Sequence, residues 1–197
     1  MKVGLTGGLA SGKTFVGLEL AALGCHLIRA DELGHEALAP DGAVFSAVVK
    51  EFGPEILTNG SIDRGVLARQ VFGNPGRLEA LNRLIHPFVR SRQIALTLEI
   101  LARDATAIVV YEAAILIETG GYRELEKLIV VYCTMEQQIE RAMHRGASRD
   151  DVIARLSHQM PLEDKRKFAD YVIDTSGAKE ATREQTLRVY DSLRSLV

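Results

Sequence analysis

The sequence predicts an α/β protein in which helices cover both faces of a five-stranded parallel sheet. Short runs that are apolar at every position alternate with longer helical segments along the chain. Strands that are apolar on both faces are typical of buried parallel sheets. A glycine-rich segment also follows the first apolar run and precedes a helical pattern, in the strand–loop–helix order of a phosphate-binding loop. Together these features predict a three-layer P-loop NTPase fold.

The glycine-rich segment is the first element after the N-terminal strand. Residues 7–14, Gly-Gly-Leu-Ala-Ser-Gly-Lys-Thr, match the spacing G-x-x-x-x-G-K-[ST] in full. We expect Gly7, Gly8 and Gly12 to adopt positive φ and to let the backbone approach phosphate oxygens. Lys13 is expected to reach the β- and γ-phosphates, and the Thr14 hydroxyl to bind Mg²⁺. The segment therefore predicts a nucleotide-phosphate site.

Four further apolar runs complete the predicted sheet. With the first strand, the predicted strands span residues 2–6, 25–30, 107–111, 128–132 and 171–174. The first helix is expected over 15–23, stopped by Gly24. Ligands of such sheets bind at the carboxyl ends of the strands, so candidate site residues are sought there.

Two stretches exceed what a simple strand–helix alternation needs. The first predicts a helical insertion over 31–103, large enough to hold a substrate, with helices at 31–38, 44–52, 64–72, 75–85 and 88–102. The second, 135–168, is rich in arginine and lysine, including Lys165, and is interpreted as solvated amphipathic helices that form a lid. We expect one domain, with its core at 1–30, 104–134 and 169–197.

Composition limits the possible partners. The chain has 197 residues, of which 47% are hydrophobic, and a formal net charge of −2. This balance does not favour nucleic acid as a partner. Cys25 and Cys133 are expected to be small buried apolar residues. We find no membrane-span pattern or signal peptide and expect a cytoplasmic protein without a membrane partner, as a monomer or weak homo-oligomer.

Two carboxylates follow predicted strands. Asp31 ends the second strand, where it could accept a proton from an attacking hydroxyl or could simply cap the next helix. Glu112 follows the third strand, where P-loop proteins place an acidic residue near Mg²⁺, although an ordinary strand-end carboxylate is equally compatible. Position alone leaves both alternatives open.

Three basic side chains are further candidates. Arg141 and Arg145 are four residues apart and are expected to share one helical face, suited to gripping phosphates, although surface helices often carry such pairs. His86 precedes Pro87 between two predicted helices, where a capping or packing role is more common than a catalytic one.

Missing motifs narrow the class of protein. A GTPase would need an Asn-Lys-x-Asp motif, which does not occur, and the chain is too short for a transport-type ATPase. A small-molecule kinase with an acceptor-binding insertion and a lid fits best. A nucleoside or nucleoside-monophosphate kinase, or a P-loop regulator without a small acceptor, remains an alternative.

An ordered series of motifs resembles the dephospho-CoA kinase family. It begins with Thr-Gly-Gly-x-x-x-Gly-Lys at 6–13 and covers nearly the whole chain. The other elements are Ala30-Asp31, Leu84–Val89 with His86-Pro87, Ala114–Glu118, Gln138-x-x-Arg141-x-x-x-Arg145, Arg155-x-x-x-Gln159 and Ala169–Ile173. The resemblance implies ATP-dependent phosphorylation of the ribose 3′-hydroxyl of dephospho-CoA, the last step of coenzyme A synthesis.

The resemblance also implies roles for individual residues. The expected catalytic residues are Asp31 as base, Lys13, and Arg141 in the lid. The ATP-binding set is Gly8, Ala10, Ser11, Gly12, Lys13, Thr14, Phe15, Arg141 and Arg145. The acceptor-binding set is Asp31, His86, Leu116 and Glu118, and the Mg²⁺ ligands are Thr14 and Glu112.

Several positions depart from the family pattern. Arg29 stands where the family has the first Asp of Asp-Ala-Asp, Ala114 replaces a proline, and Phe15 replaces a small residue. Thr175 stands where the family commonly has Asn, which affects the expected contacts on the adenine side.

Overall fold

A computed structural model describes residues 1–71 and 73–197. The strands are β1 (Lys2–Gly7), β2 (His26–Arg29), β3 (Leu57–Thr58), β4 (Ser61–Ile62), β5 (Val109–Glu112), β6 (Lys127–Tyr132) and β7 (Tyr171–Asp174). The helices are α1 (Lys13–Ala22), α2 (Ala30–Ala37), α3 (Phe45–Phe52), α4 (Arg64–Val71), α5 (Pro75–Arg103), α6 (Met135–Met143), α7 (Arg149–Ser157), α8 (Leu162–Lys165) and α9 (Lys179–Arg194). Short 3₁₀ turns occupy Pro54–Ile56, Gly121–Glu124 and Arg166–Phe168.

The main sheet has the order β2-β5-β1-β6-β7 and confirms the predicted α/β fold. Strand β1 pairs in parallel with β5 on one side and with β6 on the other. Leu5 is opposite Glu112, and Gly7 is opposite Val131. The connection after β1 leads to β2 on one side of β1, whereas the connection after β5 leads to β6 on the other side, and ligands of such sheets bind where the connections diverge. The segment after β1 lies at this point.

The chain divides into two compact units. The first comprises Met1–Ile28 and Glu99–Val197, and the second comprises Arg29–Leu98. The second unit overlaps most of the stretch 31–103, for which the sequence predicts an acceptor-binding insertion. That role stays a prediction.

The core of the first unit lies between the sheet and the helices α1 and α9. Its central side chains are fully buried and come from both layers: Val3, Leu5, Val16, Leu20, Ile129, Val131 and Leu193. Cys25 and Cys133 are buried free cysteines, as the sequence predicted. Burial raises the pKa of the Cys25 thiol to about 11. Burial also raises the pKa of the Cys133 thiol.

The second unit has its own apolar cluster, centred on Val48, Phe52 and Ile56. It also contains a hairpin, β3–β4, that the sequence analysis missed. Leu57 pairs with Ile62 in antiparallel register across the Asn59-Gly60 turn, where both turn residues have positive φ. Such a turn suits a two-residue hairpin loop, so the Asn-Gly pair was a usable signal.

The prediction of separate helices at 75–85 and 88–102 is wrong, because α5 is continuous and contains Pro87. A proline removes one backbone donor, and helix formers on both sides can sustain the remaining hydrogen bonds. The last residue of the helix predicted at 64–72, Phe72, lies outside the described residues. Neither the long helix α5 nor any other helix of the described chain is long and apolar enough to cross a membrane.

Candidate active site

The loop between β1 and α1 has the expected connection but not the expected dihedral angles. The backbone N–H of Ser11 donates to the carbonyl oxygen of Gly8 at 3.3 Å, and the Nζ atom of Lys13 lies 3.2 Å from the same oxygen. Gly12 has φ of 93° at the start of α1. Ala10 also has positive φ, at 55°. Positive φ at Gly7 and Gly8 was predicted wrongly.

Gly7 and Gly8 instead provide space. A Cβ atom at Gly7 would lie 2.7 Å from the carbonyl oxygen of Val131 on the neighbouring strand β6. A Cβ atom at Gly8 would overlap the side-chain amide of Gln138. Glycine is required where a backbone or an amide approaches this closely. The packing of the loop against β6 and α6 therefore explains both residues.

Two glutamines hold the loop at Leu9. The Nε2 atom of Gln138 on α6 donates to the Leu9 carbonyl oxygen at 2.6 Å. The Oε1 atom of Gln159 accepts from the Leu9 backbone N–H at 3.0 Å. Both glutamines belong to motifs that resemble the family, but their sequence positions alone predict no role for them. Their contacts stabilise the shape of the phosphate-binding loop from outside it.

Thr14 and Glu112 meet beside this loop. The Thr14 hydroxyl donates to Oε1 of Glu112 at 3.3 Å, and Glu112 is only 7% exposed. A hydroxyl and a carboxylate are hard oxygen ligands of the kind that Mg²⁺ takes. Magnesium is usually held by one or two carboxylates together with substrate phosphates and water. The residues present therefore fit a magnesium ion.

Arg141 is connected to the loop through Thr175. Its Nη1 atom donates to the Thr175 hydroxyl at 3.1 Å, and its Nη2 atom donates to the Thr175 carbonyl oxygen at 2.5 Å. The same hydroxyl donates to the Ser11 carbonyl oxygen at 2.7 Å. Hence one arginine on α6 lies two hydrogen bonds from the phosphate-binding loop.

Arg145 does not share a helical face with Arg141. Helix α6 ends at Met143, and Arg145 lies in the following turn, where it is exposed. The backbone N–H of Arg145 donates to the Ala142 carbonyl oxygen at 3.1 Å, which is a C-terminal turn contact. Although Arg141 and Arg145 are four residues apart in sequence, they therefore do not lie on one helical face.

Lys165 lies close to the turn after β5. Its side chain is fully buried, although the sequence analysis placed it among solvated basic residues. The Nζ atom donates to the Ala114 carbonyl oxygen at 2.6 Å and lies 3.0 Å from Oε1 of Glu118. Burial lowers the pKa of Lys165, while the hydrogen bond and negative charge of Glu118 oppose that shift.

Other predicted site residues occupy varied environments. In the first unit, Leu116 is 4% exposed and packs beside Gly4, while Phe15 lies under the Arg183 guanidinium at 5.3 Å. In the second unit, Asp31 is exposed in the first turn of α2. The capping residue there is Arg29, so the alternative of Asp31 as N-cap is wrong.

His86 also lies in the second unit. It is exposed in the interior of α5 and does not lie between two helices. Because α5 continues through His86, there is no helix end at this position that His86 could cap.

Buried polar residues were the main omission of the sequence analysis. Thr175, Gln138 and Lys165 are 6%, 4% and 0% exposed, respectively. Buried polar groups are normally hydrogen-bonded, often to backbone far away in sequence. Helical spacing gave a partial signal, because Gln138 and Arg141 lie three residues apart on α6. It could not identify Leu9 or Thr175 as their partners.

Comparison with known proteins identifies the family. A sequence profile of the dephospho-CoA kinase family matches residues 1–180. A dephospho-CoA kinase of Carboxydothermus hydrogenoformans is 41% identical over 189 residues, covering 95% of this chain and 91% of that protein. These similarities confirm the kinase class and the function expected from the sequence.

Solved structures agree with this assignment. The protein TT1252 of Thermus thermophilus has a TM-score of 0.80 at 34% identity and covers 98% of this chain and 96% of its own. A dephospho-CoA kinase from Campylobacter jejuni has a TM-score of 0.71 at 29% identity, with coverage of 99% and 98%. Both the sequence profile and the fold extend over nearly the full length. The chain therefore belongs to the dephospho-CoA kinase family.

Proposed function

We propose that this chain transfers the γ-phosphoryl group of ATP to the ribose 3′-hydroxyl of dephospho-CoA, giving ADP and coenzyme A. The observation that carries the proposal is the hydrogen bond between Thr14, the last residue of the phosphate-binding loop, and Glu112 in a chain of this family. The hydroxyl oxygen attacks the γ-phosphorus, and the bond to the β-phosphate oxygen breaks. Such transfer depends mainly on positioning and charge neutralisation.

The donor half of the reaction is assigned to the first unit. The phosphate-binding loop presents its backbone N–H groups and the start of α1 to the phosphates, which is a favourable site for an anion. Lys13 neutralises charge on the β- and γ-phosphates. Arg141 contacts the transferring phosphoryl group, because a guanidinium is always charged and can bind two oxygens. When bound by Thr14 and Glu112, Mg²⁺ supplies further charge neutralisation on the phosphates.

The acceptor half is assigned to Asp31 and the second unit. Asp31 takes the proton of the attacking hydroxyl, consistent with an exposed carboxylate in the first turn of α2. His86 is proposed to contact the acceptor from α5. Leu116 and Glu118 are proposed to shape the acceptor side from the turn after β5, with Leu116 acting through packing because it is buried. A cytoplasmic location and a monomeric or weakly oligomeric state stay predictions.

The test is a phosphoryl-transfer assay with defined acceptors. Purified protein with ATP and Mg²⁺ is given dephospho-CoA, adenosine or AMP, and both ADP and the phosphorylated product are measured. We expect efficient formation of coenzyme A from dephospho-CoA and poor turnover of the other two. Lys13→Ala should remove turnover with dephospho-CoA while the protein stays folded. Equal or faster phosphorylation of AMP would instead assign the chain to the nucleoside-monophosphate kinases.

A further inference from the structure

The contacts of Thr175 suggest a role in the candidate active site. In the structure this side chain is 6% exposed, and it lies between the phosphate-binding loop and helix α6. It belongs to neither of them, because it follows directly after β7.

The Thr175 hydroxyl uses both of its hydrogen-bonding functions. It has one proton to donate, and the closest acceptor is the Ser11 carbonyl oxygen at 2.7 Å, with the Tyr132 carbonyl oxygen at 3.1 Å. Its oxygen accepts from Nη1 of Arg141 at 3.1 Å. A hydroxyl can donate and accept at once. The loop carbonyl and the arginine therefore meet on the same oxygen atom.

The backbone of Thr175 strengthens this arrangement. Its carbonyl oxygen accepts from Nη2 of Arg141, so the guanidinium makes two bonds to one residue. Two parallel contacts restrict a planar guanidinium in both direction and rotation. The Thr175 methyl group also lies close to Gly12, where an added Cβ atom would be 3.2 Å away. Thr175 thus contacts the loop on one side and determines the arginine geometry on the other.

We infer that Thr175 is a positioning residue for phosphoryl transfer: its hydroxyl fixes the Arg141 guanidinium relative to the phosphate-binding loop. This inference rests on the proposed function, in which Arg141 acts on the transferring phosphoryl group. Thr175 does not itself contact the reacting atoms. Its contribution therefore depends on Arg141.

The experiment compares Thr175→Val with Thr175→Ser. Valine has a similar shape but cannot donate or accept, whereas serine keeps the hydroxyl and loses only a methyl group. A lost hydrogen bond to a charged group corresponds to a fold-change of roughly ten to one hundred. We expect kcat of Thr175→Val to fall by about that factor, with a much smaller change in KM for ATP. Thr175→Ser should retain most of the rate.

Thr186→Val is the matched control. Thr186 is fully buried in α9, and its hydroxyl donates to the Thr182 carbonyl oxygen at 2.8 Å. This change removes a buried hydroxyl of the same kind without touching Arg141 or the loop. Its kcat should match that of the parent protein. If it lowered kcat as much as Thr175→Val, the effect would be general destabilisation and the inference would fail.

A double-mutant cycle with Arg141→Lys tests the coupling. If Thr175 acts through Arg141, adding Thr175→Val to Arg141→Lys should lower kcat no further. Multiplicative losses, or a Thr175→Val enzyme as fast as the parent, would overturn the inference. Thermal unfolding verifies that each variant is folded, and Thr175→Ala replaces the valine variant if that one is not.

Nucleotide binding and transfer to the acceptor are measured separately, so that failure of the proposed function can be distinguished from failure of the Thr175 role. Binding of a fluorescent ATP analogue to each variant is measured without an acceptor. Failure of the parent protein to phosphorylate dephospho-CoA would contradict the proposed function. A parent that phosphorylates dephospho-CoA together with a fully active Thr175→Val variant would contradict only the role of Thr175.

Discussion

The Nζ atom of Lys165 lies 3.0 Å from Oε1 of Glu118, with the lysine side chain fully buried and the glutamate side chain 23% exposed. The same carboxylate accepts from the Met160 backbone N–H at 3.0 Å. This pair joins the segment after α7 to the turn after β5. Removing one partner of a buried ion pair leaves the other charge without compensation, which is costly.

We therefore expect Lys165→Met to destabilise the protein by roughly 3 kcal/mol, the lower end of the range for breaking a buried pair, since Glu118 retains some solvent. Urea unfolding measures this change. The matched control is Lys167→Met, because Lys167 pairs with Asp164 at 2.6 Å but is 74% exposed. Exposed pairs contribute little to stability, because water screens the charges. Equal losses for the two variants would contradict the structural role of Lys165.

The ion pair between Lys165 and Glu118 also predicts how the stability of the protein depends on pH. The pKa of Lys165 is lowered from its ordinary value of 10.5, chiefly by burial. Between the lowered folded-state pKa and 10.5, the unfolded chain binds more protons than the folded protein, so stability rises with pH. We expect the stability of the parent relative to Lys165→Met to increase as pH rises toward 10.5. A difference that stayed constant or shrank would contradict the lowered pKa.

Asp31 provides a test of the base assignment, with Glu32 as its neighbour and control. Both are exposed acidic residues in the first turn of α2. Asp31→Asn should lower kcat roughly a hundred- to ten-thousand-fold, the usual contribution of a general base. Its stability should change little, because the residue is not the helix cap. Glu32→Gln loses an exposed contact with Arg29 and should keep its rate.

Thermal unfolding and steady-state kinetics of the Asp31 and Glu32 variants measure the two effects separately. An Asp31→Asn enzyme that kept its rate but lost stability would have a structural aspartate at this position. Equal rate losses in both variants would indicate a general requirement for negative charge at the start of α2.

Arg141 and Arg145 form a third matched pair of substitutions. Arg141→Lys keeps the charge but loses the two-pronged contact with Thr175. Arginine fingers contribute roughly a thousand- to hundred-thousand-fold to phosphoryl transfer, so kcat should fall strongly while ATP affinity changes much less. Arg145→Lys, in an exposed turn, should be mild. Similar kinetics for both variants would show that the exposed turn matters as much as the contact with Thr175.

The elements that repeat a simple pattern were predictable. The five main strands were located because parallel strands buried on both faces form uninterrupted apolar runs. The phosphate-binding loop was located because its spacing is specific. The glycine dihedrals were less predictable: Gly7 and Gly8 are explained by Val131 and Gln138, which are distant in sequence.

The predictions for Pro87 and Lys165 were wrong for two different physical reasons. Pro87 was taken as a helix boundary because the residue before a proline is biased away from helix, but α5 continues through it. Lys165 was taken as solvated because its neighbours are charged, and only the tertiary structure brings Ala114 and Glu118 to it. Local preference reports the average environment of a residue type, whereas buried polar contacts depend on the folded chain.

The two glutamine contacts at Leu9 have a consequence for synthesis on the ribosome. The loop that binds phosphate ends at residue 14, yet its backbone is held by Gln138 and Gln159 and its Ser11 carbonyl by Thr175. Translation proceeds at about 5–20 residues per second. The loop must therefore wait roughly 10 to 30 seconds after its own synthesis until residue 175 is added and its nucleotide site can be completed. A nascent chain halted before residue 138 carries the whole sequence motif but none of these three contacts.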